Sequence, residues 1–192
     1  MSKLSCVLIG DASLTIGCGT LWREAGHVIR AVVSQDQAVR DWAQAEGLAV
    51  LSTPEALHGL AGETRFDWLL SVAYLALLPE DVLRLAGKGA VNFHDGPLPG
   101  YAGLNTPVWA KLAGETEHAI TWHRMDAGID TGAVLLDRRF DIRPEDTAQR
   151  LNTKAYAAGL ETFPELIERL ARGEGDGVPQ PEGARRLCRR DD

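Results

Sequence analysis

Short apolar runs, each followed by a helical pattern that closes on glycine, most constrain what this chain can fold into. Residues 5–9 form the first run, ending at Gly10 and Asp11, and a helical pattern over 13–25 stops at Gly26. A second run at 28–33 is followed by a helix over 37–46 and Gly47. Strand, helix and strand in that order make a crossover unit, which sets the two strands parallel. A short strand at 48–51, a helix beginning around Pro54, a run at 68–72 and a helix at 79–85 continue the alternation. Residues 90–93 then read as a central strand whose apolar character fits burial on both faces. The expected class is α/β, a mostly parallel sheet with helices on both faces.

Beyond His94 the pattern changes. Residues 95–106 carry three glycines, two prolines and no periodicity, so they form a loop at the carboxyl end of a strand. Ligands bind at that edge of open α/β sheets. Thr106 and Pro107 fit a helix N-cap followed by proline at the first helical position, for a helix running to Ala113. Residues 119–124 and 133–140 look like two strands joined by the turn 126–132, an antiparallel extension after the strand at 90–93. A long helical pattern over 145–172 is expected to break near Gly159 or Pro164, and 173–192 is a polar tail. We therefore expect one domain over 1–172, with 173–192 the start of a linker or of a truncated C-terminal segment.

Composition removes several function classes. With 192 residues, 45% hydrophobic and 24% charged, the chain has the makings of one substantial core. A formal charge of −7, from 27 acids against 20 bases, argues against a nucleic-acid partner. Cys6, Cys18 and Cys188 are odd in number and lack metal-ligand spacing, so neither a disulfide framework nor a metal site is expected. No apolar run approaches the ~20 residues of a membrane span, and the first residues lack a signal-peptide core. No membrane partner and a cytoplasmic location are the expectation.

Three polar residues suggest chemistry. If 90–93 is a strand, its period of two points Asn92 and His94 to one face at its carboxyl end, with Phe93 on the other. When an amine attacks a carbonyl, charge builds on oxygen while nitrogen must lose a proton. A side-chain amide such as that of Asn92 can donate to the oxyanion, and removing such a donor costs about 3 kcal/mol of transition-state stabilisation. The imidazole of His94 is suited to moving the proton, and a carboxylate such as Asp130 in the turn can orient it. The same residues also suit a hydrogen-bonded structural pair and an ordinary turn.

A wider set of residues resembles the folate-dependent formyltransferase family. It comprises Asn92-Phe93-His94, Leu98-Pro99-Gly100-Tyr101-Ala102-Gly103, Trp109, Gly114-Glu115-Thr116, and 125–132 (Met-Asp-Ala-Gly-Ile-Asp-Thr-Gly), in the family's order. Ser71-Val72-Ala73-Tyr74 followed by Leu77-Leu78-Pro79 is similar to its segment before the catalytic strand. The resemblance covers residues 4–170 and implies a Rossmann-like domain that moves a formyl group from 10-formyltetrahydrofolate to an amine, without a metal. It puts Asn92, His94 and Asp130 on catalytic positions: Asn92 and protonated His94 stabilise the oxyanion, while Asp130 orients His94 and a water that relays protons. It also implies that Ala76, Leu77 and Leu78 and the turn from Asp126 to Asp130 line the pterin pocket, with Gly96, Pro97, Leu98 and Pro99 nearby.

Departures narrow the acceptor. Asp95-Gly96 replaces the family's usual Pro-Ser, and Asp95 serves either as a solvated turn former or as a lure for a cationic substrate. Gly10-Asp11-Ala12-Ser13-Leu14 lacks the Gly-x-Gly-Ser-Asn phosphate loop of the glycinamide ribonucleotide enzymes, which disfavours purine synthesis. The methionyl-tRNA members carry a further C-terminal barrel for which no length remains after 172. Pro179-Gln180-Pro181-Glu182 is similar to the start of a smaller C-terminal segment in longer members. The favoured acceptor is an amino acid on a carrier protein, with this chain a formylation domain of a nonribosomal peptide synthetase. The alternatives are a free small amine (hydroxyornithine or an amino sugar), water in a formyltetrahydrofolate hydrolase, and a silent folate-binding domain. His123 is read as near the folate or as a satisfied strand histidine, and His27, His58 and His118 as surface residues. Cys18, Trp22, Trp42 and Trp68 are read as packing, and Trp109 and Trp122, which flank the site, as packing or else as walls of an acceptor pocket. Arginines 185, 186, 189 and 190 form a basic cluster, either a docking site or a solvated tail.

Overall fold

The computed structural model describes residues 3–61, 65–181, 183 and 185–189. The first half alternates β1 (Ser5–Ile9), α1 (Ser13–Glu24), β2 (Val28–Val33), α2 (Gln37–Ala45), β3 (Val50–Leu51), α3 (Leu57–Ala61), β4 (Phe66–Ser71), α4 (Glu80–Leu83) and β5 (Ala86–His94). The second half adds β6 (Ala102–Gly103), α5 (Thr106–Leu112), β7 (Glu117–Arg124), β8 (Val134–Asp141), α6 (Ala148–Ala171) and β9 (Leu187–Cys188). Among the described residues one sheet runs in the order β3-β2-β1-β4-β5-β7-β8. Pairs from β3 to β5 are parallel, whereas β5–β7 and β7–β8 are antiparallel. The mostly parallel α/β sheet with an antiparallel extension is therefore present.

Strand alternation divides the core into two layers. Cys6, Leu8, Trp68, Leu70, Val91 and Phe93 pack on one face. There α1 contributes Leu14, Cys18 and Trp22 at helical spacing, and α6 contributes Phe163, Leu166 and Leu170. Val7, Ile9, Leu69 and Ala90 point the other way, against Leu57 of α3 and Val82 of α4. The chain leaves β1 toward β2 and β3, then returns to its other side with β4. A crevice opens at such a reversal, outside the strands' carboxyl ends.

Three local expectations need correction. The 24-residue α6 is continuous, with Pro164 inside it and Thr147 capping its start by accepting from the Arg150 N–H. Its buried face holds it through the lost proline bond. Gly159 is a close-packing site rather than a break, because a Cβ there would lie 2.8 Å from Phe93 Cε2. The helix cap before α5 is Asn105, in the left-handed region at φ 57°, not Thr106. Thr106 turns its hydroxyl to the Asp95 carbonyl at 2.6 Å instead. Residues after 173 do not all trail into solvent: Val178 pairs with Val134 and β9 pairs with β6. Glu182 and Arg190 lie outside the described residues. No helix among the described residues is long and apolar enough to cross a membrane.

Candidate active site

The crevice is a cleft of about 1330 Å³, bounded by the ends of β1, β4 and β5, the turn 126–130 and one face of α6. Asn92 and His94 share its floor because Phe93, between them, is locked into the opposite core layer beside Trp122 and α6. Ser71 Oγ donates to Asn92 Oδ1 at 2.8 Å across the β4–β5 pair. The amide oxygen is thereby turned to the sheet, and the NH2 group faces His123 Nε2 at 3.2 Å. One amide hydrogen has a partner there; the second remains for the cleft that Asn92 lines.

His94 is 5% exposed. Its Nε2 lies 2.6 Å from the Tyr101 carbonyl, which only accepts, so Nε2 carries a proton. Its Nδ1 therefore faces Asp130 Oδ2, at 3.6 Å. Asp130 Oδ2 also accepts from the Gly103 N–H at 2.7 Å, and Oδ1 stands 3.4 Å from His123 Nε2. Burial pushes the Asp130 carboxyl upward, but His123, His94 and the Gly103 N–H outweigh it and hold the group down at about 2. A largely enclosed, ionised carboxylate between two imidazoles is a strong local orienting field.

The structure thus brings Asn92, His94 and Asp130 together from separate elements. Ala76, Leu77, Leu78 and Asp126 also line the cleft. Leu75 and Leu77 are 82% and 71% exposed at its mouth, and Asp126 orders the turn by accepting from the Gly128 N–H at 2.9 Å and from the Thr131 hydroxyl. Apolar side chains beside a polar turn fit a flat heteroaromatic ligand with polar edges. Gly96, Pro97, Leu98 and Pro99 do not line the cleft: they turn behind His94, where Thr121 Oγ1 donates to the Gly96 carbonyl and accepts from the Leu98 N–H.

Two histidines differ from expectation or go beyond it. His118 is 1% exposed rather than on the surface, with Nε2 2.8 Å from the Asp95 carbonyl, and burial lowers its pKa. His123 is 2% exposed and belongs to the site itself, because β7 pairs it directly with Asn92. Its Nδ1 donates to the Arg124 carbonyl at 2.7 Å. Neutral, its Nε2 accepts from Asn92; protonated, it pairs with Asp130. The alternation of Thr121, Trp122 and His123 held that signal, once β7 was known to pair with β5. Among the described residues no cluster of His, Cys, Asp or Glu has the arrangement of a metal site.

A Rossmann-like sheet that gathers an amide, a buried imidazole and a carboxylate at one crevice is the class of fold to which this chain conforms. The chain belongs to the formyl transferase family, whose model matches residues 23–167. It is 36% identical over 197 aligned positions to a methionyl-tRNA formyltransferase of Anaeromyxobacter dehalogenans, covering 94% of this chain and 63% of that protein. It is 39% identical over 108 positions to the GDP-perosamine N-formyltransferase of Brucella melitensis, covering 56% of this chain and 42% of that one. The chain thus spans about three fifths or less of these relatives' length. The fold is shared with an N-formyltransferase from Helicobacter canadensis solved with folinic acid and dTDP-3-aminofucose, at TM-score 0.82, 21% identity, 100% of this chain and 72% of that one. A glycinamide ribonucleotide transformylase from Symbiobacterium toebii shares it at TM-score 0.80 and 21% identity, over 94% and 95% of the two chains.

Proposed function

We propose that the chain is an N-formyltransferase that moves a formyl group from 10-formyltetrahydrofolate to a primary amine. The observation that carries this is the convergence of Asn92, His94 and Asp130 in the cleft of a chain of this family. Leu75, Leu77 and Leu78 at the cleft's rim would hold the folate, which when bound would supply the activated formyl carbon. Asn92 donates its second amide hydrogen to the carbonyl oxygen as charge develops there. His94 takes the proton leaving the attacking amine on Nδ1, and Asp130 stabilises the resulting imidazolium. As the tetrahedral adduct collapses, the bond between the formyl carbon and N10 of the folate breaks and the proton passes to that departing nitrogen. Ala76, Leu77, Leu78 and Asp126 would hold the pterin, and Gly96, Pro97, Leu98 and Pro99 would set the seat of His94 from behind.

The acceptor we favour is an amino acid presented on a carrier protein, in a formylation domain of a nonribosomal peptide synthetase within the cytoplasm. Support comes from a wide cleft with an apolar mouth, and from a net charge of −7 that opposes a tRNA. Residues 1–172 would be the catalytic domain and 173–192 the start of a connecting segment that folds back in part. An amino sugar is the second reading, favoured by the 39% identity to a protein named for GDP-perosamine. The test offers 10-formyltetrahydrofolate with either a phosphopantetheine-linked amino acid or a nucleotide amino sugar, and follows tetrahydrofolate and formylated product by mass spectrometry. Product from the first supports the favoured acceptor, and product from the second replaces it. Formate without a formylated amine would make the chain a hydrolase; tight folate binding without turnover would make it a binding domain.

A further inference from the structure

The bonds inside its own turn are not all that hold Asp130 in the cleft. Its φ of 50° lies in the left-handed region, uncommon for a residue with a Cβ. The turn is gripped from a segment fifty residues further along the chain. Gln180 Nε2 donates to the Asp130 carbonyl at 2.9 Å and to the Gly132 carbonyl at 2.8 Å, bridging both sides of Thr131. Arg185 donates to the Ile129 carbonyl, and Val178 pairs with Val134 just past the turn.

The same segment reaches Asp130 by a second route. The Gly103 N–H that bonds the Asp130 carboxylate belongs to β6, and β6 has no place in the main sheet: its partner is β9. Ala102 N donates to the Arg186 carbonyl at 2.9 Å, and Leu104 N to the Cys188 carbonyl at 3.0 Å, so both flanks of Gly103 are fixed by residues after 185. The Arg186 guanidinium lies 5.8 Å from the Tyr101 ring, whose backbone carbonyl fixes His94. Val178, Gln180, Arg185, Arg186 and Cys188 therefore hold the backbone of Asp130, the donor to its carboxylate and the acceptor of His94. All lie beyond residue 167, where the match to the family model ends.

We propose that Gln180 is a positioning residue for Asp130, and that the folded-back segment completes the active site. The inference rests on the proposed role of Asp130. Gln180 touches no reacting atom. It fixes the turn through two backbone carbonyls that accept from one amide nitrogen, so that the Asp130 carboxylate meets the Gly103 N–H and His94 Nδ1 together.

The test compares Gln180→Ala, Gln180→Glu, which keeps the length but loses the donor, and Gln180→Lys, which keeps a donor. Asp130→Asn serves as the reference. The Gly103 amide proton, read by NMR, reports its bond to the carboxylate without any acceptor. Kinetics use 10-formyltetrahydrofolate with hydroxylamine as a surrogate amine. We expect Gln180→Ala and Gln180→Glu to move the Gly103 resonance upfield, as Asp130→Asn does. We expect kcat to fall about 10- to 100-fold with KM for the folate within about two-fold, and Gln180→Lys to recover most of both. If Gln180→Ala leaves the Gly103 resonance and kcat unchanged while Asp130→Asn loses both, the positioning role is overturned. If Asp130→Asn itself keeps full kcat, the catalytic reading of Asp130 falls, and the Gly103 resonance still decides whether Gln180 sets the turn.

Discussion

The end of β5 and the turn at 126–132 deliver the same kind of cargo by different means. Asn92 and His94 are placed by the strand's period of two, with Phe93 buried between them and register fixed by β4 and β7. Asp130 comes from a turn with an unusual backbone, tied by Asp126 locally and by Gln180 from fifty residues away. A side chain on a central strand inherits its position from the core. One on a turn needs its own fastenings, and the farther these lie along the chain, the less a local pattern reveals them.

The largest effect should come from the reacting groups. Asn92→Ala and His94→Ala should each lower kcat by about 10²- to 10³-fold while the protein stays folded, because each removes a group aimed at developing charge or the leaving proton. Asp130→Ala should lose a similar amount, despite its different origin. Tetrahydrofolate release under saturating folate measures all three. Wild-type rates in folded Asn92→Ala or His94→Ala would remove the site from β5 altogether.

Next is the turn's own packing. A Cβ on Gly132 would lie 2.0 Å from the Arg124 carbonyl oxygen, so the β7–β8 connection must shift to admit alanine. We expect Gly132→Ala to cost about 3 kcal/mol in urea unfolding and to reduce activity further by moving Asp130. An unchanged unfolding midpoint would show the turn to be more compliant than the contrast with β5 requires.

What the residues revealed in advance follows the same division. Strands and helices up to 94 were legible because period, glycine stops and apolar runs are local signals, and Asn92 and His94 came with them. Thr106 has the residue type of a cap but does not act as one, because its hydroxyl is taken by the Asp95 carbonyl, a partner eleven residues back. Gly159 and Pro164 suggested a break in α6, whereas contacts with Phe93 and Leu14 and a long buried face keep the helix whole. The burial of His118 and the contact of His123 with Asn92 depend on a strand pairing that composition does not encode. Pro179-Gln180-Pro181 reads only as the start of a connecting segment, because nothing in three residues says which carbonyls Gln180 will meet.

A smaller effect should follow from the electrostatics of Asp130. Its carboxyl titrates at about 2 when folded, against an ordinary value of 3.8. The folded state therefore binds the proton less readily. The stabilisation is complete above about pH 4 and is lost as pH falls toward about 2, amounting to about 2 kcal/mol. Asp130→Asn should be less stable than wild type by about this amount near neutral pH, with the gap closing through that acid window. Urea unfolding of both proteins across the range measures it. A gap that stays constant would mean that the Gly103 bond, and not the charge between the two imidazoles, stabilises the turn.

The smallest effect concerns the strand side. Ser71 Oγ fixes which end of the Asn92 amide faces the cleft, and it does so from the neighbouring β4 residue in register. Removing it with Ser71→Ala should cost about 1 kcal/mol, or about five-fold in kcat, because one hydrogen bond is lost while the sheet still restrains Asn92. If Ser71 acts only through Asn92, adding Ser71→Ala to Asn92→Ala should lower kcat no further. Full additivity would place a separate Ser71 contact in the transition state. A loss from Ser71→Ala as large as that from Gln180→Ala would erase the distinction between a strand that positions by register and a turn that depends on distant fastenings.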